Sequence, residues 1–290
     1  MNILSIQSHV AYGYVGNRAA TFPLQRLGFD VWAVNTVQFS NHTGYGAWKG
    51  EAFSPAHVRA VIDGIADRGV LGHCNALLTG YLGDPAMGEA VIETAQRLRT
   101  ANPEAIWTCD PVMGDVGRGF FVRPGIPELF RDRIAPAADI ITPNQFELEH
   151  LAGGKIDTLR HAIDAARAVI ARGTKHVLVT SLQRIDAAPE RIEMLAVGAR
   201  SAHLVGTPLL PFAVAPNGSG DAVAALFLGH FLRSRDIAAA LGEAAAGIFA
   251  LMDATARAGQ RELAMIAAQD QMVRPARRFP VTDAHGGHAA

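Results

Sequence analysis

"DIITPNQFELEHLAGGKIDTLRHAIDAARAVIARGTKHVLVTSL" (139–182) is the stretch that decides the fold. Two short apolar runs, "DIITPN" (139–144) and "HVLVTSL" (176–182), enclose a helical segment. In "TLRHAIDAARAVIARG" (158–173), Leu159, Ile163, Ala166, Val169 and Ile170 share one face, and Gly173 ends the run. Strand, helix and strand make one parallel β-α-β unit. The alternation extends in both directions. Strand-like runs lie at 2–8, 29–39, 76–82, 105–113 and 192–198, and helical segments at 55–69 and 85–100. Residues 221–273 read as two or three alanine-rich helices. Repeated units of this kind predict an α/β fold, a mostly parallel sheet with helices on both faces. There is no internal repeat and no linker. We expect one domain over 1–275 and a flexible tail over 276–290, with "DAHGGHAA" (283–290) disordered.

The chain has 290 residues, 49% of them hydrophobic, which is enough for a sizeable core. A net charge of −1 argues against a nucleic-acid partner. Cys74 and Cys109 have neither metal nor redox spacing and read as reduced core residues of a cytoplasmic protein. The first residues lack the pattern of a secretory signal. No apolar run reaches 18 residues without charge or polarity, so no membrane span is expected.

In a sheet of this type, ligands sit beyond the carboxyl ends of the strands. Polar strand-end residues should therefore collect at one edge. Ser8 ends the first strand, Asp110 closes "WTCD", Asn144 and Glu147 follow "DIITP", and Thr180 and Ser181 end "HVLVTS". "NGSGD" (217–221) opens the helical run that begins with Ala222 and belongs at the same edge. A helix start attracts anions through its unpaired N–H groups. Asp221 in its first turn is either a charge that suits the helix dipole or a working carboxylate.

Four other stretches bear on chemistry. In "DPVMGD" (110–115), Asp110 and Asp115 flank a turn; they suit a hard cation carrying nucleotide phosphates, or simply cap the turn. "TPNQFELE" (142–149) offers Thr142, Asn144, Glu147 and Glu149, either as a helix cap or as part of a metal or water network with Asp110. "QSHVAYGYVGN" (7–17) is not a dinucleotide fingerprint, and the absence of G-K-[ST] anywhere excludes a P-loop; Ser8 and Tyr12 suit a small polar ring. "VQFSNHTGYGAW" (37–48) carries Phe39, His42, Tyr45 and Trp48. Aromatic walls with a few placed polar groups hold flat ligands. A buried structural loop or a dimer contact is the plainer explanation.

Together, "QSHVAYGYVGN", "NTVQFSNHTGYGAWKG", "DPVMGD" with "TPNQFELE", and "NGSGD" resemble the pyridoxal kinases of the ribokinase-like superfamily, over nearly the whole chain to about residue 275. The resemblance implies a three-layer α/β/α sandwich and an ATP-dependent transfer of phosphate to the 5′-hydroxymethyl group of pyridoxal, pyridoxamine or pyridoxine. It implies Asp221 as catalytic base, with the N–H groups of Gly218, Ser219 and Gly220 as anion hole. It implies a vitamin pocket from Ser8, Val15, Phe39, His42, Thr43, Gly44 and Tyr81, with Asp221 at the reacting group. Asp110, Arg118, Thr142, Glu147 and Thr180 would face ATP, as would Gly218 and Gly220, and Thr207, Pro208, Leu209 and Leu210 would border the adenine. Asp110, Asp115, Thr142 and Glu147 would hold cations: Mg²⁺, Zn²⁺ or another divalent ion, with K⁺ near Asp115. A homodimer is implied as well.

The chain departs from the resembled pattern in places. "VGRGFF" (116–121) puts Phe120 or Phe121 where some members carry cysteine or tyrosine, which removes thiol chemistry there. Thr180 stands where some relatives have lysine. With only Lys49, Lys155 and Lys175 in the chain, phosphate charge must be met by cations, backbone and arginine. Gly114, Gly117 and Gly119 make 115–122 a candidate lid carrying Arg118. Competing readings are a hydroxymethylpyrimidine kinase, a non-catalytic vitamin-binding protein, and an enzyme using pyridoxal phosphate on a lysine such as Lys155.

Overall fold

The computed structural model describes residues 1–284. Its elements in chain order are β1 (Asn2–Val10), α1 (Asn17–Arg26), β2 (Asp30–Phe39), β3 (Gly50–Ala52), α2 (Pro55–Ala66), β4 (Cys74–Thr79) and α3 (Pro85–Ala101). Next come β5 (Ile106–Cys109), the hairpin β6 (Gly114–Asp115) and β7 (Gly119–Phe120), α4 (Ile126–Leu129), α5 (Ala135–Ala137), β8 (Ile140–Ile141), α6 (Gln145–Ala152) and α7 (Leu159–Ile170). The last part is β9 (His176–Leu182), β10 (Arg191–Gly198), β11 (Ser201–Pro208), α8 (Ser219–Ser234), α9 (Ile237–Ala258), α10 (Gln269–Val273) and β12 (Val281–Asp283).

One sheet runs β12-β11-β10-β9-β8-β5-β4-β1-β2-β3. From β9 through β2 all neighbours are parallel; β3 at one edge and β10, β11 and β12 at the other pair antiparallel. The parallel strands are buried on both faces, which is why they read as near-continuous apolar runs. Alternate side chains separate two cores. Leu4, Ile6, Leu77, Val177 and Val179 meet α2, α3 and α7, whereas Ile3, Leu78 and Leu178 meet α1, α8 and α9. Truncating one such leucine to alanine costs about 2–5 kcal/mol.

Polar first residues start the helices where the sequence places them. Ser54, Asp84, Thr158 and Asp236 each accept a backbone N–H in the first turn of the helix that follows. Three expected strands stop short of their predicted ends, and 76–82 does so at Thr79. The run 105–113 pairs only as far as Cys109, and 139–144 pairs only at Ile140–Ile141. Pro111 and Pro143 lack the N–H that a further ladder bond needs.

The tail expectation fails in part. Residues 281–283 form the edge strand β12 on β11, the Phe279 ring meets Phe249 at 4.9 Å, and Arg278 pairs with Glu243. Three ladder positions and an aromatic contact tie down what composition alone suggests is loose. Residues 285–290 of the expected disordered stretch lie outside the described residues. α9 is long and apolar enough to cross a membrane by composition, but most of it is buried against α8, β10 and β11. Cys74 and Cys109 are free thiols in the core.

Candidate active site

From β1 the chain leads to β2 on one side, and β4, β5, β8 and β9 follow on the other. The crevice at the carboxyl end of β1 is therefore the topological switch point. The strand-end residues converge there. Register carries the rule into the antiparallel part: Leu182 of β9 faces Glu193, and Arg191 of β10 faces Pro208. "TPLL" thus leaves the sheet at the same edge, with Thr207 buried and Leu209 exposed.

The floor is acidic. Asp110 and Glu147 are only 6% and 4% exposed, and no Arg, Lys or His side chain among the described residues pairs with either of them or with Asp221. Thr142 Oγ1 donates to Asp110 Oδ1 at 3.2 Å. Glu147 is the helix cap foreseen as the plainer option. Its Oε2 accepts from Asn144 N at 2.9 Å, Asn144 Oδ1 accepts from Glu147 N, and its Oε1 accepts from Met113 N at 2.8 Å. This cap fixes the "DPVMGD" turn to α6. Burial pushes Glu147 up to about 8 despite those N–H donors. Burial, then the charges of Glu147 and Asp221, holds Asp110 well above the usual carboxylate range. Burial also raises Asp221 to about 6, opposed by the Gly16 N–H that donates to it.

Three acidic groups without a countercharge make a set that a cation would relieve. Asp110 and Thr142 are turned into the site. Asp115 lies exposed at the rim: its Oδ1 accepts the N–H of Val116, and its charge adds to the burial that raises Glu147. Among the described residues no three His, Cys, Asp or Glu side chains are close enough to hold a metal ion by themselves. The fit is therefore to an ion carried largely by water and phosphate oxygens.

The two glycines flanking Ser219 differ. Gly218 has φ 86°, and a Cβ there would lie 1.8 Å from the Tyr14 carbonyl oxygen, so only glycine fits. At Gly220 a Cβ would meet nothing nearer than Asp110 Oδ2 at 3.9 Å. Its bareness leaves space above the Asp110 carboxylate. Gly218 sets the left-handed turn that starts α8, and Asp221 lies in that helix's first turn.

The opposite wall is aromatic and knitted together. His42 caps the single turn Thr43–Tyr45 by accepting the Gly44 N–H at its Nδ1, 3.1 Å away. Burial, with Arg118 and Arg261 nearby, holds His42 below its ordinary value, so it is neutral at pH 7. The Phe39 and Trp48 rings lie 6.2 Å apart. Ser8 is half-buried beside Gly16, where a Cβ would collide with the Ser8 oxygens. Val15 is buried, Tyr81 half-buried, and Thr43 and Gly44 are open to the cleft. Thr180 lies behind the floor, its N–H donating to the Pro143 carbonyl at 3.0 Å.

Arg118 sits at the tip of the β6–β7 hairpin between Gly117 and Gly119. It makes no ion pair among the described residues and lies over the Phe121 ring at 5.5 Å. Phe120 anchors the hairpin against Phe146 and His150 at 4.9 and 5.0 Å. The segment expected as a lid is thus a hairpin tethered through Phe120, with Arg118 exposed at its tip. Sequence reasoning missed Arg261 and Glu262. Glu262 Oε1 accepts from the Tyr45 hydroxyl at 2.5 Å and its Oε2 from Tyr14 N at 3.1 Å. No local pattern marks contacts across more than 200 residues.

A switch-point cleft with a bare helix start, a first-turn aspartate and a buried acidic floor defines a small-molecule kinase of ribokinase-like fold. The family described as phosphomethylpyrimidine kinase matches residues 29–265. The chain is 58% identical to a pyridoxal kinase of Rubrobacter xylanophilus, over 97% of each chain, and 53% identical to one of Deinococcus radiodurans, over 96% and 95%. The solved pyridoxal kinase of Leishmania donovani, in complex with ADP and pyridoxamine, superposes with a TM-score of 0.90 at 32% identity, covering 97% of this chain and 99% of that one. The chain belongs to the pyridoxal kinase family.

Proposed function

We propose that this pyridoxal kinase moves the γ-phosphoryl group of ATP onto the 5′-hydroxymethyl oxygen of pyridoxal across the cleft between the aromatic wall and the acidic floor, with Asp221 as base. The observation that carries the assignment of the base is Asp221 itself. It is half-buried in the first turn of α8, raised to about 6 by that desolvation, and faces the Gly16 N–H. A carboxylate with that value is ionised at pH 7 yet basic enough to take a proton. As the hydroxyl oxygen attacks phosphorus, its proton passes to Asp221, the bond from phosphorus to the β–γ bridging oxygen breaks, and ADP leaves. The N–H groups of Gly218, Ser219 and Gly220 meet the charge on the transferred group.

Asp110 and Thr142, supported by Glu147, would hold the cation that travels with the phosphates; we assign Mg²⁺ there, with Zn²⁺ as a competitor and K⁺ as an auxiliary. Such an ion supplies charge neutralisation on the nucleotide. Arg118 meets the phosphates from above, and the "TPLL" corner borders the adenine. Ser8, Thr43 and Gly44 bond the vitamin ring among Val15, Phe39, His42 and Tyr81. We further propose a cytoplasmic homodimer, in keeping with the free thiols and the exposed edge at β3 beside Trp48. Light scattering should give twice the 30.8 kDa of the chain; a monomer refutes this point.

The test offers the protein ATP and Mg²⁺ with pyridoxal, pyridoxamine, pyridoxine or hydroxymethylpyrimidine. The B6 vitamers should be phosphorylated, and excess chelator should stop the reaction. The description of the matching family makes hydroxymethylpyrimidine the pointed control: preference for it over every vitamer overturns the substrate assignment.

A further inference from the structure

The segment after α9 reaches back to the cleft. Glu262 is half-buried and divides its two oxygens between two loops, one to Tyr14 N in the β1–α1 connection and one to the Tyr45 hydroxyl in the aromatic loop. Its fit is close, because a Cβ on Gly13 would lie 2.2 Å from Glu262 Oε2. Arg261 completes the fastening from outside. Its Nη2 donates to the Gly44 carbonyl at 3.0 Å, and its guanidinium lies 3.7 Å from the centre of the Tyr45 ring. Tyr12 packs edge-on against Tyr45 at 6.2 Å, so both loops meet at this point.

We infer that Arg261 and Glu262 are positioning residues for the vitamin pocket: they fasten the 42–48 loop to the 12–16 loop so that Thr43, Gly44 and His42 are in place before the vitamin arrives. The inference rests on reading these loops as the vitamin wall. Neither side chain is placed in contact with the reacting atoms. Their effect belongs to binding on one side of the cleft. Without the fastening, the loop must be ordered by the ligand itself, and that cost appears as weaker binding. Among the described residues neither side chain is hydrogen-bonded to a residue assigned to the nucleotide, so KM for ATP should not register the loss.

The experiment measures kcat and KM for pyridoxal and for ATP in wild type, Glu262→Ala, Glu262→Gln, Arg261→Ala, Tyr45→Phe and the double variant Glu262→Ala/Tyr45→Phe. Removing a hydrogen bond to a charged group is worth about tenfold in an equilibrium. Glu262→Ala should raise KM for pyridoxal about tenfold and leave KM for ATP within about twofold. Tyr45→Phe should raise it less, and the double variant should fall short of the product of the singles, because the two groups share one bond. Glu262→Gln keeps an acceptor for the Tyr45 hydroxyl and should recover part of the loss. Hydrogen exchange over residues 42–48 should speed up in Glu262→Ala.

Arg261 is exposed, so Arg261→Ala tests the idea even where a change at Glu262 disturbs folding. Unchanged pyridoxal KM in Arg261→Ala and Tyr45→Phe, or an equal rise for ATP, overturns the inference. If wild type itself fails to phosphorylate pyridoxal, the pocket reading and this inference fall together. Wild-type turnover with unmoved variants breaks the inference alone.

Discussion

The two walls of the cleft solve opposite problems. The aromatic wall is tied to itself: His42 Nδ1, the Tyr45 hydroxyl and the Tyr14 N–H are each bonded to a neighbour, and the Glu262 carboxylate is shared between two donors. The acidic floor is incomplete. Asp110, Glu147 and Asp221 are held above their ordinary values because burial is not matched by positive charge. A flat, nearly neutral ligand needs a preformed slot. A polyanion brings its own cations, and a floor already neutralised by lysine would have nothing to offer them. On the proposed reading, that difference lets the chain manage with Lys49, Lys155 and Lys175 alone.

Asp221→Asn is the strongest attempt to break that contrast. It keeps the shape of the floor and removes the proton acceptor. Turnover should fall roughly 10²–10⁴-fold, whereas KM for pyridoxal should barely move and stability should change by about 0.3–1 kcal/mol. Near-wild-type turnover would reduce Asp221 to a helix-dipole charge.

Gly218→Ala strikes where the two walls touch. A methyl group cannot coexist with the Tyr14 carbonyl, and φ 86° is unfavourable for alanine. We expect about 1–3 kcal/mol of lost stability from the strain, read as a lower melting temperature, together with lost turnover. Gly220→Ala should melt like wild type, since its methyl group has room, and lose activity only. Equal melting of the two variants would erase the distinction between them.

A third test removes the cations. Glu147 has its native value raised to about 8, against about 4.3 in the unfolded chain. The folded state therefore keeps a proton that the unfolded state releases, and stability falls with rising pH until about 8, then levels. In chelator, the melting temperature should drop by a few degrees between pH 7 and 8, above the range where histidines titrate. Glu147→Gln should flatten that slope, and a slope of the opposite sign would show that the floor is not starved of positive charge.

The smallest effect is expected from Arg118→Ala. The guanidinium at the hairpin tip should matter to ATP and not to pyridoxal, with KM for ATP raised about threefold to tenfold, the worth of one charge-assisted bond near solvent. Matching constants for both substrates would make Arg118 a solvated charge. Hydrogen exchange of residues 115–119 with and without ATP sharpens the result, because Phe120 should stay protected in both states.

Much of this architecture was legible in the chain, for a physical reason. Parallel strands covered on both faces must be apolar throughout, so "HVLVTSL" and "NILSIQS" announce themselves. The Asn144–Glu147 cap is visible because a capping box is local by construction. Gly218 and Gly220 look alike in sequence, and the left-handed φ and the Tyr14 carbonyl at Gly218 tell them apart. β12 escaped notice because three residues at an edge, two of them exposed, carry no periodicity. Arg261 and Glu262 escaped because their meaning lies in loops 217 and 248 residues away along the chain.

That separation bears on how the molecule is made. Tyr14 and Tyr45 emerge early in synthesis, but the carboxylate that joins them comes only after α9 has been translated. Closing a loop of more than 200 residues is entropically demanding and is favoured only once intervening elements have already packed. A nascent chain that has reached β9 already contains all six parallel strands and still lacks the fastening of its pocket. On the proposed reading the fastening forms last, and a chain cut off before residue 262 would lack it regardless of how much of the sheet had folded, leaving the aromatic loop to be ordered by the vitamin itself.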